Sequence, residues 1–293
     1  MWQAYETPAS VEETLDILAR YQGQARIIAG GTDLIIQLQE CTCSAQCLVD
    51  VTRIPDLNRI ERDGEWIVLG SNVTFRQVKE STLLQKEARV LVEAAATVGA
   101  LQIQTVATLA GNIVNAMPAA DGNVALTCLD AQAQIADSQG RIWHPLAELF
   151  LGPGQSAVDP TRQMLTSIRF PALKAGEGSA WERIGRRRAL VLPILNCGVS
   201  VALTEAMDRF EWARIALGPV APVPFRARGA EAFLTGKPAV KDTFVQAAEM
   251  AAGESHPRSS LLRASKEYRT EVLKVLVRQG LARAVQQGRE PSA

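Results

Sequence analysis

Apolar residues recur along this chain in two rhythms, and the switches between them mark its elements. Val11, Leu15 and Leu18 fall at helical spacing behind Ser10-Val11-Glu12-Glu13, which has capping-box form, so a helix is expected over 11–21. Apolar runs predict a strand at 26–29, a short helix at 34–39 and a second strand at 48–51, together a small β-α-β unit. Asp63-Gly64 between the runs at 59–62 and 66–69 signals a hairpin, which opens a second subdomain. Thr74 can cap a short helix, and Val90, Leu91, Ala94 and Val98 share one face of a helix over 87–98. A helix over 122–129 with Asp121 as its N-cap comes next, then a hairpin of 132–136 and 141–144. A loop at 151–154 and a strand over 164–170, ended by Pro171, complete the first half.

Lys174-Ala175-Gly176-Glu177-Gly178-Ser179 is the best linker candidate, polar and rich in small residues. Beyond it, strands are expected at 181–184, 197–203 and 210–216, then helices beginning near Arg226, Val240 and Ser260. Runs of strands followed by runs of helices indicate an α+β class, and there is no internal repeat. The chain of 293 residues accommodates two domains, divided as 1–175 and 176–293, the first with subdomains at about 1–57 and 58–175.

Charge narrows the range of partners. Acidic and basic residues balance at 31 each, so no basic field attracts nucleic acid or an anionic membrane. The first residues have neither a basic start nor an apolar run, and no apolar stretch approaches the ~20 residues of a membrane span. The expectation is a cytoplasmic protein with no signal peptide and no membrane span. Arg186-Arg187-Arg188 is read as a solvated strand or a phosphate or partner contact. Cys41, Cys43, Cys47, Cys128 and Cys197 are odd in number, and disulfides are not expected. The first three could ligate a metal or an iron-sulfur cluster, but no fourth cysteine follows nearby, so a polar surface connection is the favoured reading. His144 and His256 lack a surrounding carboxylate and nucleophile, which argues against a hydrolytic triad.

The chemistry concentrates in two stretches. The first is Arg26-Ile27-Ile28-Ala29-Gly30-Gly31-Thr32-Asp33, an apolar strand running into two glycines, a hydroxyl and a carboxylate. A glycine pair between strand and helix leaves main-chain N–H groups bare and convergent, and a helix starting near Thr32 or Asp33 adds its positive end, so a phosphate suits the spot. A plain strand-to-helix turn with Thr32 or Asp33 as N-cap would use the same residues. The second stretch runs from Gln102 to Asp121 and is packed with small residues, hydroxyls and amides, as suits a loop whose backbone approaches a ligand closely. Two such loops suggest a large cofactor.

The pair resembles the FAD-binding subunit, or domain, of the molybdenum hydroxylases, the group that includes xanthine dehydrogenase and carbon monoxide dehydrogenase. That family's first flavin loop reads A-G-G-[TH]-[DS], matched here by Ala29-Gly30-Gly31-Thr32-Asp33. Its second reads roughly Q-I-R-N-x-[AG]-T-[IL]-G-G-N-I, answered by Gln102-Ile103-Gln104-Thr105-Val106-Ala107-Thr108-Leu109-Ala110-Gly111-Asn112-Ile113. Gln104 and Thr105 stand where Arg and Asn are usual, and Ala110 replaces a glycine, which would be strained if that position needed positive φ. Pro257-Arg258-Ser259-Ser260 and Arg263-Ala264-Ser265-Lys266-Glu267-Tyr268-Arg269 look like the family's closing segment.

The resemblance implies a two-subdomain FAD-binding domain of the vanillyl-alcohol-oxidase/PCMH type, followed by a small molybdenum-hydroxylase flavoprotein C-terminal domain of antiparallel sheet plus helices. It implies noncovalent FAD, since neither loop contains a histidine or cysteine to bond the ring. The residues it assigns to the cofactor are Arg26, Ile27, Ile28, Ala29, Gly30, Gly31, Thr32 and Asp33, then Ala107, Thr108, Leu109, Ala110, Gly111, Asn112, Asn115 and Asp121. Met164 and Leu165 fall where a strand residue packs beside the flavin, and Arg183 where the family often has a lysine near the ring. Core packing for Met164 and Leu165 and helix capping for Asp121 are the plain alternatives. The implied partners are a molybdopterin-bearing large subunit and a [2Fe-2S] small subunit, with electrons passing through the flavin to NAD+ or another acceptor as a purine-like heterocycle or aldehyde is oxidised. Trp181-Glu182-Arg183 and the closing segment look most like the xanthine dehydrogenase group. A stand-alone flavin oxidase of the same fold and a flavin-less scaffold subunit are the other readings.

Overall fold

The computed structural model describes residues 2–187, 189–260 and 264–290. It opens with a strand that the sequence pattern did not signal, β1 (Ala4–Glu6), before α1 (Val11–Arg20). Ser10 Oγ accepts the Glu13 amide as a capping box requires, but the Glu13 carboxylate accepts from Ala9 N–H at 2.6 Å, one residue further out than Ser10. β2 (Ala25–Ile28), α2 (Leu34–Gln39) and β3 (Cys47–Asp50) follow, each strand starting one residue before its expected position. The three strands form an all-parallel sheet in the order β1-β3-β2.

The hairpin of β4 (Ile60–Asp63) and β5 (Trp66–Gly70) turns at Gly64, whose φ of +58° is the left-handed conformation that Asp-Gly turns need. Thr74 then caps α3 (Phe75–Glu80) with both halves of the capping box present. The helix expected over 87–98 forms as α5 (Arg89–Thr97), and a short helix not anticipated from the sequence, α4 (Thr82–Glu87), precedes it across the non-helical Ala88. The second small-residue stretch is less of a loop than expected. It folds as α6 (Leu101–Gln104) and α7 (Leu109–Asn115), separated only by the turn at 105–108. In α8 (Asp121–Cys128) the N-cap is Ala120, so Asp121 is the first helical residue and not the cap.

The hairpin of β6 (Gln132–Asp137) and β7 (Gly140–Pro145) forms as expected, but of the loop expected at 151–154 only residues 153–154 turn, since Leu151 and Gly152 belong to β8 (Phe150–Gly152), which pairs with β9 (Gln155–Ser156). β10 (Met164–Pro171) completes an antiparallel sheet in the order β4-β5-β10-β6-β7. One face of this sheet and the helices against it bury Leu69, Phe75, Leu91, Leu109, Ile113 and Phe170 completely or nearly so.

Only Lys174–Gly176 behaves as a connection. Glu177, Gly178 and Ser179, expected in the linker, already belong to β11 (Glu177–Ile184), which pairs with β12 (Leu195–Leu203) from its first residue. A Cβ at Gly178 would lie 2.6 Å from Gly288 N and closer still to Ala284 O, so its glycine permits close packing rather than flexibility. β13 (Phe210–Gly218) and β14 (Phe225–Arg226) extend the antiparallel sheet, and α9 (Arg228–Leu234) and α10 (Lys241–Glu254) follow. The final helix, α11 (Lys266–Arg289), starts later than the expected position near Ser260, which instead bridges to Ala264; residues 261–263, including Arg263 of the closing segment, lie outside the described residues. Arg186 and Arg187 occupy an exposed bend and not a strand, and Arg188 lies outside the described residues.

α11 packs on β11 and β12, while α5 and α8 cover the other face of the same sheet. Arg283 of α11 ties the layers, donating to Glu93 of α5 at 2.6 Å and to Glu182 of β11 at 2.8 Å. Among the described residues the fold is therefore α+β, with antiparallel sheets of five, four and two strands, a three-stranded parallel one, and interleaved helices. Among the described residues no helix is long and apolar enough to cross a membrane.

Candidate functional site

The parallel sheet, α6, α7 and β10 together wall a cleft of about 450 Å³. Of the residues assigned from the sequence, Arg26, Ile27, Ile28, Ala29, Gly30, Gly31, Thr32, Asp33, Ala107, Thr108, Ala110, Gly111, Asn112, Asn115, Met164 and Leu165 all line it. Residues some 80 positions apart in sequence are thus brought to one place, and the contact between them is direct. A Cβ at Gly30 would sit 2.6 Å from the Val106 carbonyl carbon and closer still to its oxygen, so only glycine lets the first turn lie against the second. Gly31 has φ +66°, the left-handed conformation that re-aims the backbone into α2. Asp33 occupies the cap position of α2 but makes no capping hydrogen bond through its side chain.

Across the cleft, Thr108 Oγ1 caps α7 by accepting the Gly111 amide at 3.0 Å. Ala110 lies within α7 and is absent from the positive-φ residues, so the methyl group in place of glycine carries no backbone strain. Gln104 is buried and its amide fully engaged, accepting from Lys79 Nζ at 3.1 Å and donating to Val98 O at 2.9 Å and Ala96 O at 3.3 Å. Ile28, Val51, Phe75, Val98, Ile103, Val114, Met164 and Leu165 supply apolar wall.

Three assigned residues do not line the cleft. Leu109 is fully buried in the core behind it. Asp121 and Arg183 pair with each other, with Arg183 Nε 3.2 Å from Asp121 Oδ2 and the two side chains only 8% and 6% exposed in that order. Asn196 Nδ2 donates to Asp121 Oδ1 at 2.7 Å, and the Arg183 guanidinium also donates to Val191 O. Arg183, assigned to a position near the ring, is instead held in a buried ion pair that joins α8, β11, β12 and the bend after β11. Burial pushes the Asp121 carboxyl up to about 6, against the pull of Arg183 and Asn196 toward the ionised form.

Sequence reasoning missed Ser71, Asn72, Pro160 and Gln163 among the lining residues. A signal existed for the first two, since Ser71-Asn72 are polar residues directly behind the apolar strand β5 and remain buried. Pro160 and Gln163 lie in an irregular segment that carried none. Of the three clustered cysteines, Cys47 is buried in β3, Cys43 lines the cleft and Cys41 is exposed. Among the described residues no three His, Cys, Asp or Glu side chains converge as a metal site.

The donor set fits a nucleotide-type cofactor with an aromatic ring system. Glycine backbone from both turns offers close approach, and apolar wall suits a ring. Ser71 Oγ and Asn72 Oδ1 are buried at the wall with no protein partner, which native interiors seldom tolerate without a ligand or water. Fold and cleft therefore define a cofactor-binding protein built from two sheet-and-helix units.

Comparison with known proteins narrows that class. Residues 2–173 match the FAD-binding domain in molybdopterin dehydrogenase, and residues 181–284 match the CO dehydrogenase flavoprotein C-terminal domain. A xanthine dehydrogenase FAD-binding subunit of Escherichia coli O157:H7 is 30% identical over 285 residues, covering 96% of each chain. A carbon monoxide dehydrogenase medium chain of Hydrogenophaga pseudoflava is 27% identical, covering 94% of this chain and 95% of its own. In a solved structure, carbon monoxide dehydrogenase from Hydrogenophaga pseudoflava matches with a TM-score of 0.91 at 28% identity over 98% of both chains. Quinoline 2-oxidoreductase from Pseudomonas putida 86 matches with a TM-score of 0.89 at 25% identity, again over 98% of each. The chain belongs to the family of FAD-binding medium subunits of the molybdenum hydroxylases, the xanthine and carbon monoxide dehydrogenase type, and is an oxidoreductase subunit.

Proposed function

We propose that this chain binds FAD noncovalently in the cleft and serves as the electron-exit subunit of a molybdenum hydroxylase. The chain divides for this purpose as 1–175, which holds the cofactor, and 176–293. Its partners are a large subunit carrying the molybdenum cofactor and a small subunit carrying [2Fe-2S] clusters; the acceptor is NAD+, and the oxidised substrate is a purine-like heterocycle or an aldehyde. FAD supplies the exchange between single electrons and electron pairs. The chain's own residues bind and orient: Gly30 lets the first turn seat against the second, Gly31 and Gly111 open the backbone to the diphosphate, the apolar wall encloses the ring, and Met164 and Leu165 pack beside it. Asp121 and Arg183 stiffen the frame behind the second turn.

The observation that carries this reading is the direct seating of Gly30 on Val106, which builds one cleft from both cofactor-binding stretches. The test is reduction of the purified, FAD-loaded chain. NADH should bleach the flavin absorbance, whereas xanthine should leave it oxidised until the molybdenum and iron-sulfur subunits are added. Bleaching by xanthine in the isolated chain would replace this reading with a self-sufficient flavoenzyme. An inert response to NADH, with bleaching by a different donor, would remove NAD+ as the acceptor.

A further inference from the structure

The second turn departs from its family pattern at Gln104, and the side chain there occupies a mechanical crossroads. α6, to which Gln104 belongs, is only four residues long and too short to hold itself in place. Its Ile103 carbonyl nevertheless holds the backbone of the second turn, accepting from Val106 N at 3.1 Å and Ala107 N at 2.8 Å, and Ala107 lines the cleft. Gly30 of the first turn rests on that same Val106. The position of α6 therefore sets the distance between the two turns.

What fixes α6 is the Gln104 amide. Its Nε2 donates to Val98 O and Ala96 O at the end of α5, and its Oε1 accepts from Lys79 Nζ on α3 at 3.1 Å. Val98 and Ile103, on either side of this bracket, both line the cleft. The chemistry is specific to an amide, which donates and accepts at once. A guanidinium, usual at this position in the family, could serve the two carbonyls but could not accept from Lys79 and would set two cations together in a buried site.

We propose that Gln104 is a positioning residue for FAD, holding the second turn at 106–107 against Gly30 through its three-way bracket between α3, α5 and α6. This rests on the reading of the cleft as an FAD site, so the test separates the two. In the full-length chain, Gln104→Met keeps the volume of the side chain and removes its hydrogen bonds. The bracket predicts roughly tenfold weaker FAD binding, as expected for the loss of about one well-placed hydrogen bond's worth of order. In the same variant stripped of cofactor, the amides of Val106 and Ala107 should exchange hydrogen roughly tenfold faster while those of β12 keep the parental rate.

Gln104→Arg should show the same two defects, and adding Lys79→Glu should restore both, because the carboxylate re-creates an accepting partner for a donating side chain. Parental exchange at Val106 and Ala107 in a folded Gln104→Met protein would overturn the bracket, whatever the cofactor does. Faster exchange with unchanged FAD affinity would overturn its link to the cofactor. If Gln104→Met does not fold, the charge-exchanged pair decides: its failure to restore FAD affinity and exchange over Gln104→Arg alone would also overturn the bracket. Should the parent chain bind no FAD, the function proposed above fails, and the exchange measurement alone decides the bracket.

Discussion

Gly30 and Gly111 sit on different turns of the same cleft, yet a methyl group added at each would meet different surroundings. At Gly30 it would collide with the Val106 carbonyl, whereas at Gly111 the nearest atom is Thr108 Oγ1 at 3.2 Å and the rest is open cleft. One glycine is demanded by the protein's own backbone and the other is left bare toward the space a ligand would fill. A glycine-rich motif thus mixes two requirements, assembly of the site and approach of its occupant, that respond differently to substitution.

The largest expected effect comes from forcing the assembly contact. Gly30→Val should drive the turn at 105–108 away from the parallel sheet, destabilising the chain by about 3 kcal/mol and abolishing flavin retention. Denaturant unfolding with parallel flavin quantification measures both, and parental values would mean that the two turns do not touch in solution.

Behind the second turn, the buried Asp121 predicts a pH effect of nearly that size. Its carboxyl is raised to about 6, above the ordinary range near 4, so the folded state holds the proton more tightly than the unfolded chain does. The contribution to stability is full below about pH 4 and is lost as pH rises to about 6, on the order of 2–3 kcal/mol. Unfolding free energies of the parent and Asp121→Asn across this window should differ in slope, with the parent losing stability relative to the variant as pH rises. Identical slopes would show that Arg183 and Asn196 keep Asp121 ionised throughout.

The pattern of what the sequence revealed follows the range of the interactions involved. Local signals were legible: the Thr74 capping box, the Asp63-Gly64 hairpin and the glycine pair after β2 all depend on neighbours a few residues away. The register of the cleft residues came from two short motifs, and fourteen of the positions they suggested do line it, with Met164 and Leu165 of the strand β10 beside them. What failed depended on distant partners. Asp121 reads as a helix cap until Arg183, 62 residues on, takes its carboxylate. Glu177-Gly178-Ser179 reads as a linker until Gln287 accepts the Ser179 amide and α11 settles on Gly178. α6 and α7 carry too few large apolar residues to show a helical period, and β1 is too short to alternate visibly.

Three further substitutions, at two positions, sharpen the contrast between glycines. Gly31→Ala places a side chain at φ +66°, near Ile28 and Ile35, and should cost about 1–2 kcal/mol with a partial loss of flavin; Gly31→Val should empty the site in a protein whose circular dichroism is unchanged. Full flavin occupancy in a folded Gly31→Val protein would move the phosphate site elsewhere. Gly111→Ala, at a helical position facing open cleft, should leave the cofactor-free chain as stable as the parent or more stable by up to about 1 kcal/mol, while weakening FAD binding. Unchanged affinity there would mean that the diphosphate does not approach Gly111.

The central claim, that the two turns form one noncovalent FAD site, is tested most directly by titrating FAD into the cofactor-stripped chain and then acid-precipitating the product. The account predicts saturation at one FAD per chain, with flavin absorption bands from the bound protein and all of the yellow chromophore released into the supernatant. No saturable binding, or colour that stays with the protein pellet, would contradict it.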